Sequence, residues 1–150
     1  INLIILSREV IADIVPDAIV KNINIELMGD EKEYLIKGNH TAIAILIRNL
    51  VDNAVKYTHN GGTVTISISK NKREVILDVI DNGPGVPQEL KKRIFERFFR
   101  VVGSKATGSG LGLSIVKQIV DIHNAHIIVK DNPHGKSGLI IEVKFSRVDN

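Results

Sequence analysis

The run TVTISIS, residues 63–69, alternates without a break: Val64, Ile66 and Ile68 fall on one side, threonines and serines on the other. Successive strand side chains point to opposite faces, so this pattern specifies a strand with one buried face. NKRE then turns the chain into VILDVID, residues 75–81, a second strand rich enough in Val, Ile and Leu to be buried. Neither can stand alone in water, and the rest of the chain has to cover their apolar side.

Helical spacing supplies the cover. Leu6, Val10, Ile14 and Ala18 recur on one face of a helix expected over 6–21, which Pro16 bends or shortens. Asn39 or Thr41 caps a second helix that runs to about Tyr57. A short basic helix is expected from Gln88 to Phe95. A longer one is expected from about Gly110 to His123, with Leu113, Val116, Ile119 and Val120 inward. NINIELMG alternates Ile23, Ile25 and Leu27 and pairs with EYLIKG as a hairpin around Gly29 and Asp30, while AHIIVK and GLIIEVKF are strands joined by DNPHGKS. Hairpins with helices between them give an α/β (α+β) two-layer sandwich: a mixed, largely antiparallel sheet with helices packed on one face. With no linker, repeat or low-complexity tract, residues 1–150 read as one domain.

Hydrophobic residues are 43% of the chain but aromatics only 4%, with no tryptophan, so the core has to be mostly Ile, Val and Leu. No cysteine is present, which excludes disulfides and thiolate metal sites. A net charge of +3 suits an anionic ligand such as a nucleotide, whereas no basic cluster points to nucleic acid. No apolar run approaches the roughly 20 residues of a membrane helix. The chain opens on Ile1 rather than Met and reads as a piece of a longer protein, so this says nothing about a span elsewhere.

Four segments carry chemistry. RNLVDNAVKYT, residues 48–58, places Asn49, Asn53 and Lys56 on one helical stripe, with Asp52 beside it and Ile43, Leu46, Leu50, Val51 and Ala54 opposite. A solvated face of an amphipathic helix would look the same. Asparagine is nevertheless a weak helix former, costing up to roughly 0.7 kcal/mol against Ala, and two one turn apart call for compensation. Amide oxygens are neutral, hard ligands suited to Mg²⁺, which keeps several waters and bridges to substrate phosphates. In DNGPG, residues 81–85, Asp81 lies just past a buried strand, where its carboxylate can accept from an exocyclic amine such as N6 of adenine; an ordinary Asp-Asn-Gly turn is the alternative. RIFERFFR, residues 93–100, sets Ile94, Phe95, Phe98 and Phe99 at helical spacing, with Arg97, Arg100 and Lys105 within reach of a triphosphate. ATGSGLGLSIV, residues 106–116, puts Gly108, Gly110 and Gly112 before a helix, where bare N–H groups and a positive helix end make a phosphate seat. Its spacing matches neither the dinucleotide fingerprint nor the P-loop.

In this order the segments closely resemble the N, G1, F and G2 boxes of the ATP-binding catalytic domain of bacterial sensor histidine kinases: NLVDNAVKY, DNGPG, FERFFR and GSGLGLSIV. That domain has the Bergerat fold shared with gyrase, Hsp90 and MutL, and the wording is nearest the QseC-like and PmrB-like subgroup. The resemblance implies ATP and Mg²⁺ as cofactors. By position, Asn53 and Asn49 hold the metal or its waters, and Lys56 contacts phosphate; these three are the implied catalytic residues. Tyr57 lies near the nucleotide, Asp81 reads the adenine amine, and Gly83 and Gly85 give the base room. Val86, Ile94 and Phe99 line the site, with Arg97, Arg100 and Lys105 toward the phosphates. Residues 101–109 form a lid that orders over ATP. Gly110 and Gly112 seat the phosphates, and Gly108, Ser109, Leu111 and Leu113 are implied nucleotide-binding residues of the same segment. One departure stands out: where the family often carries Gly-Thr on a late strand, this chain has Gly138-Leu139, so a hydroxyl near the adenine is lost or moved.

Gyrase-type relatives carry Glu-x-x-x-Asn, and the equivalent of that glutamate here is Asn49. An amide cannot take a proton from water, which implies slow hydrolysis and a γ-phosphate kept for another nucleophile. That nucleophile is a histidine in the family, yet none of His40, His59, His123, His126 and His134 lies in a His-Glu-x-x-Thr-Pro pattern. All five read as structural or surface, so the acceptor is expected on a dimerising helical hairpin ahead of Ile1. The implied partners are that dimerisation/phosphoacceptor domain and a response regulator, with no nucleic acid. The parent is expected to be a membrane-anchored homodimer of the inner membrane, with this part monomeric and cytoplasmic. Two alternatives remain: an ATP-gated clamp of the gyrase/MutL/Hsp90 kind, which would need a glutamate at position 49 and an N-terminal exchange arm, and a nucleotide-sensing regulatory module.

Overall fold

A computed structural model describes residues 1–30, 33–97, 112–132 and 138–148. The elements are α1 (Leu3–Val20), β1 (Asn24–Met28), α2 (His40–Tyr57), β2 (Thr63–Lys70), β3 (Glu74–Asp81), α3 (Gly112–Ile122), β4 (His126–Asp131) and β5 (Leu139–Ser146). The five strands form one sheet in the order β1-β2-β3-β5-β4. β1 runs parallel to β2, and the other three pairings are antiparallel. The sheet is thus mixed and largely antiparallel, with helices on one face, as expected.

Alternation decides the faces. Along β3, Val75, Leu77, Val79 and Asp81 are buried, while Ile76, Asp78 and Ile80 lie on the outer side. Val64, Ile66 and Ile68 of β2 continue the inner row, and Leu6, Val10, Ile14 and Ala18 of α1 meet it from the helix layer. Asp81 is thus the last member of an otherwise apolar row, pointing to the helix side. α2 begins as expected, with the Asn39 side chain accepting from the Ala42 N–H at 2.9 Å, a cap that stabilises by about 1 kcal/mol. His123 ties the two ends of the helix layer. Its Nε2 accepts the Asn39 N–H at 3.1 Å, which leaves Nδ1 to donate to the Ile119 carbonyl at 2.8 Å.

Two local expectations give way, and a third, for Pro16, is decided only as to the length of the helix. Among the described residues, β1 and EYLIKG are not paired as a hairpin around Gly29 and Asp30. Tyr34 and Ile36 are buried, as the alternation says, but a burial pattern does not name the neighbour. Leu35 bridges to Asn2 and Ile36 to Arg147, while β1 takes β2 as its partner. Residues 88–95 form two 3₁₀ turns, Gln88–Leu90 and Arg93–Phe95, rather than one helix. So short a helix gains little from its own hydrogen bonds, and here Lys91 is turned inward at its middle. Pro16 does not shorten α1; it sits on the exposed side, where water can meet the carbonyl it leaves unbonded.

On the outer face, Asp78 stands directly across from Glu142. Burial, the hydrogen bond to Glu142 and its charge push the Asp78 carboxyl up to about 6. Burial acts on Glu142 in the same sense, but Lys130 at 3.1 Å, Asp78 and Lys144 outweigh it, and Glu142 is held below its ordinary value. The folded state therefore binds the Asp78 proton more tightly than the unfolded chain. This contribution to stability is complete below pH 4 and is lost as pH rises through about 6. Asp78→Asn is expected to stabilise the fold by about 1 kcal/mol at pH 7.5, a value discounted for solvent screening at a half-exposed group, and by nothing near pH 4. Urea unfolding at the two pH values measures it.

Candidate functional site

The apolar row Ile43, Leu46, Ile47, Leu50, Val51, Ala54 and Val55 seats α2 in the core. The opposite stripe is not simply solvated. Asn49, Asp52 and Asn53 are half-buried, and only Lys56 is exposed. Gly112, the first residue of α3, lies against this stripe: a Cβ built there would be 3.8 Å from Asn49 Cγ and 3.9 Å from its Oδ1. Lys56 pairs with Asp52 at 3.0 Å, one turn back. The last carbonyls of α2, at Val55 and Lys56, accept from Lys21 at the end of α1, a cation favourably placed at a helix C-terminus.

Asp81 closes β3 with its side chain 6% exposed. Its Oδ1 accepts the Gly83 N–H at 3.0 Å and the Leu139 N–H at 3.2 Å. Both bonds fall on one oxygen, which leaves Oδ2 with no hydrogen bond to any described residue. Burial pushes the carboxyl up to about 6, opposed by the two backbone donors. A buried carboxylate with one oxygen satisfied and one waiting is costly for a fold and useful for recognition.

The turn after Asp81 docks on α2. Gly83 lies so close to the end of that helix that a Cβ would sit 2.4 Å from the Tyr57 carbonyl oxygen, so no larger residue fits. Gly138, at φ +123°, packs against the same strand end, where a Cβ would fall 2.2 Å from the Asp81 carbonyl oxygen. The Asn132 side chain donates to that carbonyl at 3.1 Å, and the Asn82 side chain accepts the Thr63 N–H at 3.1 Å. One chain of contacts thus runs from Asp81 through Gly83 to Tyr57, along α2 to Asn53 and Asn49, and across to Gly112.

The other expected residues divide. Gly85 faces the Gly138 carbonyl, and Val86 and Leu113 are partly buried against the core. Ile94 is 7% exposed and belongs to the core cluster. Arg97 is exposed. Phe99, Arg100, Lys105, Gly108, Ser109, Gly110 and Leu111, and the whole stretch 101–109, lie outside the described residues, as does His134. Sequence reasoning missed Asn132, Lys91 and Lys21, whose side chains act on backbone carbonyls and follow no local pattern. It flagged Leu139 as a lost hydroxyl. In the fold this residue contributes its backbone N–H instead.

Residues 38–147 match the family model described as histidine kinase-, DNA gyrase B-, and HSP90-like ATPase. The sensor protein kinase PmrB of Pseudomonas aeruginosa is 38% identical over 144 residues, 95% of this chain and 30% of that protein, so the chain spans under a third of that relative. Among solved structures, the mycobacterial sensor histidine kinase MprB superposes with a TM-score of 0.87 at 25% identity, covering 100% of this chain and 97% of that one. The histidine kinase ThkA, solved in complex with the response regulator protein TrrA, gives a TM-score of 0.81 at 26% identity over 99% of this chain and 41% of that one. With the family match extending over well more than half its length and the fold shared throughout, this chain belongs to the histidine kinase-, DNA gyrase B- and HSP90-like ATPase family.

Proposed function

We propose that this domain binds ATP with Mg²⁺ and donates the γ-phosphate to a histidine on a separate dimerisation/phosphoacceptor domain. The observation that carries the reading is Asp81: a buried carboxylate at a strand end, its Oδ2 open, joined through Gly83 to the helix that bears Asn49 and Asn53. In this reading Oδ2 accepts from the adenine amine, Gly85 and Val86 flank the base, and the amide stripe faces the phosphates.

The donor set fits Mg²⁺. Among the described residues no group of three or more His, Asp or Glu side chains converges, so these residues offer no closed cage. Two half-buried amides one turn apart suit an ion that keeps its waters and takes further ligands from phosphate. When bound, the ion neutralises charge developing on the transferred phosphoryl group. The chain's own residues do the rest. Asp81 orients the base, Asn53 and Asn49 position the phosphate end, and Lys56 meets the phosphates once it leaves Asp52. Asn49, where water-activating relatives carry glutamate, abstracts no proton, so ATP persists until a histidine is presented. Gly108, Ser109, Gly110, Leu111 and Gly112 are proposed to seat the phosphates ahead of α3, with Arg97, Arg100 and Lys105 nearby and Phe99 at the lid. Ile94 supports the site from the core rather than touching the ligand.

The partner domain and a response regulator complete the proposal, with the parent a membrane-anchored homodimer and this portion cytoplasmic. No helix among the described residues is long and apolar enough to cross a membrane. The test is phosphoryl transfer in trans with labelled ATP and Mg²⁺. A separately supplied acceptor domain bearing its histidine is expected to be labelled, and this chain alone is expected to hydrolyse ATP slowly and carry no label. Fast hydrolysis without transfer would favour the ATP-gated clamp instead.

A further inference from the structure

Among the described residues Lys91 is the one buried lysine, 6% exposed. Its Nζ donates to the Val86 carbonyl at 2.7 Å and pairs with Asp131 Oδ1 at 2.9 Å, although the Asp131 side chain is 73% exposed. Asp131 ends β4, and its neighbour Asn132 donates to the Asp81 carbonyl at 3.1 Å. The end of β4 therefore holds both ends of the turn 81–86. Asn132 grips the Asp81 end directly. Asp131 grips the Val86 end through Lys91. Between these two ties the turn contains Gly83 and Gly85, residues that restrict the backbone least.

We infer that Lys91, anchored by Asp131, is a positioning residue for base recognition: it fixes the Val86 carbonyl and with it the distance between the turn and the Asp81 carboxylate. The inference rests on the ATP-binding reading above. A buried ammonium is expensive to desolvate, and an inward position between two 3₁₀ turns could as easily hold Met or Leu. A lysine serves here because its long stem crosses the buried gap and its three N–H groups can bond a carbonyl and a carboxylate together. Without this tie the turn keeps its Asp81 end and loses its far end. Discrimination between bases should suffer before folding does, because a hydrogen-bonding site rejects the wrong partner only when its groups are held in register.

The experiment is titration calorimetry with ATP and with GTP, in Mg²⁺, on the wild type, Lys91→Met, Lys91→Arg and Asp131→Asn, with thermal melts in parallel. Lys91→Met keeps the volume; the carboxylate it leaves behind is exposed to water and one part-buried carbonyl, that of Val86, loses its donor, so the variant is expected to fold. Its ATP dissociation constant is expected to rise about tenfold, with the preference for ATP over GTP narrowing by a similar factor. Lys91→Arg restores most of that preference, and Asp131→Asn falls between. Wild-type affinity and wild-type preference in Lys91→Met would overturn the inference, as would an equal loss for both nucleotides. If Lys91→Met fails to fold, Asp131→Asn decides by the same two criteria. A wild type that binds neither nucleotide would sink the ATP reading itself, a result distinct from any change in preference among the variants.

Discussion

Asp81→Asn is expected to lower ATP affinity about a hundredfold or more while raising the melting temperature of the protein. The asparagine keeps an oxygen to accept from Gly83 and Leu139, so the turn survives. Its other atom becomes an NH₂ group aimed where the open Oδ2 stood, and a donor then faces the adenine amine, itself a donor. Losing a charged acceptor and gaining a donor clash is the kind of mismatch a hydrogen-bonding site rejects most strongly. Stability moves the other way. The carboxyl titrates at about 6 in the fold, against 3.8 as its ordinary value. The folded chain therefore holds this proton more tightly than the unfolded one. Stability falls as pH rises between those values, and at pH 7 the buried carboxylate costs up to about 3 kcal/mol. Asparagine removes that cost, worth several degrees in melting temperature. Near pH 4 the gain disappears. For the wild type, ATP affinity is expected to decline as pH falls below about 6, because the acceptor is then protonated. Calorimetry and melts at pH 7.5, 6 and 5 follow both effects.

Gly138→Ala is expected to destabilise the fold by about 3 kcal/mol or more and to carry nucleotide binding away with it. The added Cβ would lie 2.2 Å from the Asp81 carbonyl oxygen and 3.0 Å from Asn82 Cα, both backbone atoms. Neither can yield cheaply. The Asp81 carbonyl is held by Asn132, and the next residue, Leu139, donates to the Asp81 side chain. A φ of +123° adds strain that an L side chain rarely tolerates. Gly61→Ala is the control. It too has positive φ, at +86°, but a Cβ added there would meet nothing within 4 Å, so only the conformational cost of about 1 kcal/mol applies and ATP binding is expected to persist. Urea unfolding of the two variants separates collision from strain.

The fold was largely readable because its signals are periodic. β2 and β3 follow strict alternation, α1 and α2 follow helical spacing, and Asn39 is a cap in a capping position. What failed was pairing. Tyr34 and Ile36 are buried as their alternation demands, yet sequence cannot say that their backbone bonds go to the start of α1 and the end of β5 rather than to β1. The candidate site divides in the same way. Asn49, Asn53, Asp81 and Gly83 sit in compact motifs whose residue types are odd for their local structure, and oddness can be seen in a single sequence. Lys91, Asn132 and Leu139 act on backbone atoms across the sheet, through contacts that leave no mark on the residues beside them. Gly138 shows the limit most clearly: as a sequence feature it was half of a missing Gly-Thr, and in the fold it is the residue just before β5 that packs against the backbone at the end of β3.

The central claim is that the amides of α2 and the carboxylate of β3 serve opposite ends of one nucleotide. One NMR titration addresses it directly, with ATP and with Mn²⁺ in place of Mg²⁺. Backbone amides of Gly83, Gly85 and Leu139 are expected to shift with the same dissociation constant at which the metal broadens the side-chain amides of Asn49 and Asn53, and adenosine alone is expected to move only the first set. Two different affinities, or broadening centred away from α2, would contradict it.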